Sequence, residues 1–356
     1  MIKLKIGLFD SDKLYLERFT GIMGRKFGSQ IEMFSFTDPD GVVSSVNENH
    51  INVLLASGDC GLPDEKLSES CMFAYLTDSA EINSLNGKKT IFRYQSADAI
   101  YRTLLGLYSE KMSDSVSYRS GAGNARVSLF IPECEGAGAS TAAAAMAEYS
   151  AAAGRKTLFL NLRQFRETEE LFTAPGDSTF TDVIFALKSR KANMTLKLES
   201  IVKKSKSGVY FFGSCRSPLD SEELDREELG KLIDELSSGC GYDSLVIVSD
   251  FFISEKLSLL LDKADDVIIV SGDSRLSEQR LRQKQAAISG LEKRNLTGIT
   301  DKLRVLFNKS AKALQLGIPV LGIIPDTGSG GEREIIKRIT ASGVFGNIFR
   351  EEAAAC

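Results

Sequence analysis

Twice along this chain, short apolar runs alternate with stretches of helical period, and a Ser/Gly-rich segment separates the two series. The first series reads as strands at 5–9, 31–36, 51–55, 73–76 and 90–92, with helices over 13–25, 40–47 and 97–108. Strands that alternate with helices must pair in parallel and cross over right-handed, which at this size predicts a flavodoxin-like domain. The second series carries longer apolar runs at 127–131, 157–160, 209–212, 245–248, 267–270, 305–307 and 320–324. Helical patterns lie between them at 141–153, 181–188, 221–236, 276–291 and 331–342. Near-continuous apolar runs belong to strands covered on both faces. The expected fold class is α/β: two doubly wound parallel-sheet domains at 1–112 and 125–356, joined by a linker at 113–124. A chain of 356 residues suits two domains of ~100–200 residues each.

Composition narrows the chemistry. Apolar residues make up 43% and charged residues 26%, as in soluble globular proteins, and the longest apolar runs stop well short of the ~20 residues of a membrane span. No integral membrane segment or signal peptide is expected. His50 is the single histidine, which excludes histidine-based triads and multi-histidine metal sites. The six cysteines include no C-x-x-C pair, so neither a disulfide framework nor a zinc site is indicated, and a reducing cytoplasm fits. A net charge of −4 argues against DNA as an obligatory partner.

The segment Ile131-Pro132-Glu133-Cys134-Glu135-Gly136-Ala137-Gly138-Ala139-Ser140-Thr141 lies between an apolar strand and an alanine-rich helix. That is the place of a phosphate-binding loop, in which backbone N–H groups and a helix N-terminus cradle the phosphates and a lysine adds a point charge. Here the cradle is present and the lysine is not. The loop resembles the ParA/MinD superfamily motif K-G-G-x-G-K-[ST]-[ST], with Cys134 at the first lysine and Ala139 at the second. The resemblance implies an ATP site formed by Glu135, Gly136, Ala137, Gly138, Ala139, Ser140 and Thr141, with the Ser140 hydroxyl on Mg²⁺.

Further landmarks carry the same resemblance. The strand at 157–160 ends in Asn161 and Arg163 where the superfamily has D-x-D; Arg163 either approaches the phosphates or is a solvated turn residue. In Tyr242-Asp243-Ser244-Leu245-Val246-Ile247-Val248-Ser249-Asp250, Val248 takes the place of the usual carboxylate. Asp250 lies two residues on and on the same side of the strand. It is a candidate catalytic or Mg²⁺-facing group, or else the cap of the following loop. Asn308 ends the strand that contacts adenine in the superfamily, and an amide suits that work because it offers donor and acceptor together. Pro325 and Asp326 close the passage Gly317-Ile318-Pro319-Val320-Leu321-Gly322-Ile323-Ile324-Pro325-Asp326, which resembles the base-lining segment.

The first domain resembles the receivers of response regulators. Asp10 and Asp12 stand where receivers hold Mg²⁺, or they cap the following helix, and Thr77 ends the fourth strand. The third strand ends in Ala56-Ser57 where the phosphorylated aspartate belongs, with Asp59 displaced into the loop, and the fifth ends in Arg93 where a lysine belongs. Phosphotransfer is therefore not expected. A degenerate receiver ahead of a ParA/MinD-like domain resembles the TadZ/CpaE family of Flp (tight adherence) pilus assembly. The resemblance implies a cytoplasmic homodimer that binds ATP and Mg²⁺ with slow or no hydrolysis. It also implies recruitment to the cell pole or the inner membrane face, with pilus machinery proteins met through the receiver-like domain. The alternative is a partition or positioning ATPase acting on DNA or membrane. Its support is the basic run Lys188, Arg190, Lys191, Lys197, Lys203, Lys204 and Lys206, whereas the tail from Val344 to Cys356 is a poor amphipathic anchor.

Overall fold

The computed structural model describes residues 3–58, 67, 71–111, 124–165, 167–189, 193–295, 298–346 and 348. Asp59, Arg190, Lys191, nearly all of the expected linker and most of the C-terminal tail lie outside them. The chain divides into two compact units, Met1–Ser120 with Ser189–Ile201, and Gly121–Lys188 with Val202–Cys356.

In the first unit, β1 (Leu4–Phe9), α1 (Lys13–Phe27), β2 (Ile31–Phe36), α2 (Pro39–Glu48), β3 (Val53–Ser57) and β4 (Met72–Thr77) follow the expected rhythm. A short hairpin of β5 (Ser84–Leu85) and β6 (Lys88–Phe92) precedes α3 (Ala97–Lys111). Its turn is Asn86-Gly87, both with positive φ (50° and 73°), the pairing that a tight hairpin favours. The sheet order is β2-β1-β3-β4-β6-β5, parallel except at β5. Alternation along each strand decides its partners: Ile6, Leu8, Val53 and Leu55 pack against α1 and α3, while Leu54, Ala56, Phe73 and Tyr75 face Val42 and Val46 of α2.

The second unit contains β7 (Arg126–Pro132), α4 (Ala139–Ala152), β8 (Thr157–Asn161), α5 (Thr168–Leu171) and α6 (Phe180–Ser189). The helix α7 (Met194–Ile201) then packs on α3 and places Leu196 in the first unit's core. Contiguous limits of 1–112 and 125–356 do not describe this exchange, because the apolar face of so short a helix reveals no partner in sequence. The second unit continues with β9 (Lys203–Lys204), β10 (Tyr210–Phe211), α8 (Arg226–Asp234), β11 (Ser244–Val248), α9 (Glu255–Lys263) and β12 (Asp266–Ser271). It ends with α10 (Arg275–Asn295), β13 (Leu303–Asn308), β14 (Val320–Ile324) and α11 (Glu332–Ala341).

Its sheet runs β14-β13-β12-β7-β11-β8-β10-β9, parallel but for the antiparallel edge strand β9. The expected doubly wound α/β class is what both units show. Helix α4 meets β7, β8, β11 and β12 on one side and α11 on the other. Its residues Ala142 to Ala145 and Ala147 are all fully buried, so its middle turns are packed on every side through small apolar side chains. Phe130, Phe159, Phe211 and Phe345 fill the rest of this core. Phe345 and Ile348 are thus core residues, which ties the start of the C-terminal tail to the domain. No helix among the described residues is long and apolar enough to cross a membrane.

Candidate functional site

In the second unit a cavity of about 330 Å³ opens where the C-terminal ends of β7, β8 and β13 meet the start of α4. Open parallel sheets place ligands at this edge because the loops there diverge. Gly136 to Gly138 of the loop form one wall, whereas Glu135, also expected at the site, does not line it. Gly136 and Gly138 both take left-handed conformations, with φ of 79° and 88°, a region that costs other residues roughly 1–2 kcal/mol. Gly138 is the N-cap of α4 and offers no side chain. The first helical bond runs from Ala142 N to Gly138 O, so the N–H groups of Ala139, Ser140 and Thr141 precede the helical ladder. These groups and the helix dipole suit a phosphate chain.

The residues expected at this site come together in part. Gly136 to Thr141 and Asn308 line the cavity. Asn308, 8% exposed, donates Nδ2–H to the carbonyl of Ala137 at 2.9 Å and so braces the loop. Thr141 Oγ1 donates to Glu332 of α11 at 3.0 Å. Asp326 accepts from Gly328 N at 3.0 Å, an Asx turn. Pro325 and Asp326 do not line the cavity, whereas Thr327 does.

Arg163 is the residue that sequence reasoning left open. Its side chain is 18% exposed and spans three elements. It donates to Glu135 Oε1 at 2.8 Å, to Asp250 Oδ1 at 2.7 Å and to Ser140 Oγ at 3.3 Å. Its backbone N–H is held by Asn161 Oδ1 at 3.2 Å, and the next N–H, of Gln164, binds Asp250 Oδ2 at 3.0 Å. Burial disfavours the charged guanidinium, but Asp250 and Glu135 more than offset it, so its pKa lies above the usual arginine value. The solvated-turn reading of Arg163 does not hold. Asp250 serves here as the counterion of Arg163, with both carboxylate oxygens engaged. Lys309, also on the cavity wall and with φ of 50°, is the other cation that sequence reasoning did not single out.

On the far side of the loop, Glu133 is buried and pairs with Arg280 of α10 at 3.3 Å. Lys284, one turn further along, lies 3.7 Å from the centre of the Phe251 ring. Burial lowers the Lys284 pKa to about 8 against the pull of Glu133, and burial also raises that of Cys134. The basic run considered for DNA is divided between the two units, and its Arg190 and Lys191 lie outside the described residues. Lys203 is buried against Glu169, Lys188 pairs with Glu228, and Lys197 belongs to the other unit.

In the first unit Asp10 is buried, and Arg93 donates to it at 2.6 Å. Arg93 also lies 3.1 Å from Asp78 and over the Tyr15 ring. Burial pushes the Tyr15 hydroxyl up to about 12. Asp12 caps α1 by accepting from Leu14 N and Tyr15 N. A fixed guanidinium therefore occupies the Asp10 carboxylate, and Asp12 is occupied as a cap. Among the described residues no cluster of His, Cys, Asp or Glu is arranged to hold a metal ion.

Residues 2–109 match the family model of the TadZ-like receiver domain. No curated protein sequence matches the chain significantly. Among solved structures, a ParA family ATPase from Chlorobium tepidum TLS is 16% identical over 63% of this chain and 91% of its own, with a TM-score of 0.49. A chain of the MinC:MinD cell division protein complex of Aquifex aeolicus is 16% identical over 64% of this chain and 96% of that one, with a TM-score of 0.48. The septum site-determining protein MinD of Pyrococcus horikoshii OT3, complexed with Mg-ADP, is 13% identical over 61% and 95%, with a TM-score of 0.45. A receiver domain of the TadZ-like family thus occupies residues 2–109, and a second unit built on a largely parallel α/β sheet follows it.

Proposed function

We propose that the second unit binds ATP with Mg²⁺ and that the chain serves as a homodimeric localisation scaffold for Flp pilus assembly, with weak or no hydrolysis. The observation that carries the nucleotide reading is the loop itself. Two left-handed glycines and the uncapped N-terminus of α4 open onto a cavity whose wall includes Arg163 and Lys309. The donor set fits a polyphosphate. Backbone N–H groups of the loop would hold phosphate oxygens, the Ser140 hydroxyl would bind Mg²⁺, and the Ile335 and Ile339 side chains give the cavity an apolar wall.

Bound Mg²⁺ would supply charge neutralisation on the phosphates. The chain's own residues bind well and activate poorly. Ala139 is buried where the loop lysine belongs, Val248 is buried where a carboxylate belongs, and Asn161 binds Thr168 at 3.3 Å. Phosphoryl transfer depends on positioned charge, and each of these replacements removes some.

The pilus role rests on the TadZ-like receiver domain, whose Asp10–Arg93 pair suits a constitutive docking module better than a phosphorylation switch. The test is a titration of purified protein with ATP and Mg²⁺ that reads affinity, phosphate release and dimerisation together. Saturable binding with turnover far below that of a lysine-containing relative supports the reading. Absence of binding, or turnover equal to such a relative, overturns it.

A further inference from the structure

We infer that Arg163 is the cation this loop lacks, and that Glu135 is its displaceable counterion, so that a nucleotide polyphosphate enters the site by exchanging partners with Glu135. The inference rests on the nucleotide reading above and names which side chains make it work. The cavity-forming loop carries no lysine, yet a guanidinium from the end of β8 reaches both ends of it, touching Glu135 before the glycines and Ser140 after them. Its backbone is pinned through Asn161 and its stem is mostly buried, so the charge is positioned in advance.

Its two carboxylate partners are unequal. Asp250 is 36% exposed and holds a second contact at Gln164 N, which anchors it. The Glu135 side chain is 91% exposed, and an ion pair in that setting contributes little. A polyanion in the cavity offers the fork of the guanidinium several oxygens, and charge-assisted contacts of that kind are among the strong ones. Exchange therefore favours phosphate over Glu135 and keeps Asp250. It also removes a negative charge from the face that the polyanion approaches. Lys309 lines the same cavity as a point charge, so it serves as the internal comparison.

The experiment measures Mg²⁺-dependent binding of a fluorescent ATP analogue, with the matching AMP analogue alongside, in the full chain and in Glu135→Gln, Arg163→Ala, Arg163→Lys, Lys309→Ala and Glu135→Gln/Arg163→Ala. Arg163→Ala is expected to weaken ATP binding roughly 10-fold or more, with a smaller effect on AMP. Arg163→Lys lies between, and Lys309→Ala loses less than Arg163→Ala. Glu135→Gln, at an exposed position with no core contact to disturb, is expected to tighten ATP binding about 2- to 5-fold. That gain should shrink in the Arg163→Ala background. If Arg163→Ala does not fold, the Arg163→Lys and Glu135→Gln results carry the test.

Wild-type binding that is unchanged in Arg163→Ala overturns this inference and leaves the nucleotide site standing. An equal gain from Glu135→Gln with and without Arg163 also overturns it, because the glutamate would then act by general repulsion alone. If the wild type binds neither analogue, both readings fall together.

Discussion

A Cβ placed on Gly138 would lie 2.3 Å from Nδ2 of Asn308, the atom that holds the loop carbonyl of Ala137 at 2.9 Å. The tightest point of the loop and its brace are thus one contact. Gly138→Ala meets two penalties, a left-handed φ and a collision. It is expected to destabilise the second unit by about 2–3 kcal/mol and to weaken nucleotide binding. In the Asn308→Ala background the steric part disappears and only the ~1–2 kcal/mol backbone part remains. Chemical denaturation of the four proteins of this double-mutant cycle checks it, and strictly additive effects would disprove the shared contact.

Helix α4 is alanine-rich because it is sandwiched between the sheet and α11. Ala144→Leu must push one layer away from the other, at a cost of about 1–3 kcal/mol. The same substitution at exposed Glu334, on the outer side of α11, should stay within about 0.5 kcal/mol. Urea midpoints of the two variants decide the matter.

Arg93→Ala leaves the Asp10 carboxylate buried without its cation. Breaking a buried pair from one side costs about 3–5 kcal/mol, and Arg93 is 13% exposed, which places the expected loss near the lower limit. Hydrogen exchange of the full chain should show faster opening of β1 and β6 in the variant. Removal of both partners, Asp10→Asn with Arg93→Ala, should recover part of the loss. Unchanged protection in the single variant would exclude a structural role for the pair.

The lowered Lys284 pKa makes a pH prediction whose sign is fixed by linkage. The unfolded lysine titrates near 10.5 and the folded one at about 8. Between these values the unfolded chain binds more protons than the folded one, so this residue's contribution to stability rises as pH rises through that window. Below pH 8 both states are protonated and the burial penalty is constant. Lys284→Met should remove the rise, so the difference in melting temperature between wild type and variant should narrow from pH 8 towards pH 10. A constant difference would show that the ammonium is as well solvated as in the unfolded chain.

Local features of the chain were legible in its sequence because their causes are local. Alternating apolar runs set β1 to β4 and the central strands β7, β8, β11, β12 and β13, since burial on one or both faces demands those periods. Gly136 and Gly138 marked the loop, as only glycine takes those backbone angles at no cost. Asn86-Gly87 announces the β5–β6 hairpin, and Ser254, which caps α9 ahead of Leu257, Leu260 and Leu261, announces that helix.

Tertiary structure alone decided the rest. Glu135 and Asp250 lie 28 and 87 residues from Arg163 along the chain, and the three meet only because β7, β11 and β8 are consecutive in the sheet. Helix α7 lies in the second half of the sequence yet completes the first unit's core at Leu196. Sequence period reports which face of an element is apolar, and it is silent on what that face meets. Period and residue type set most of the strands and helices, the cradle and the missing lysine; the fold set an arginine from another strand beside that cradle.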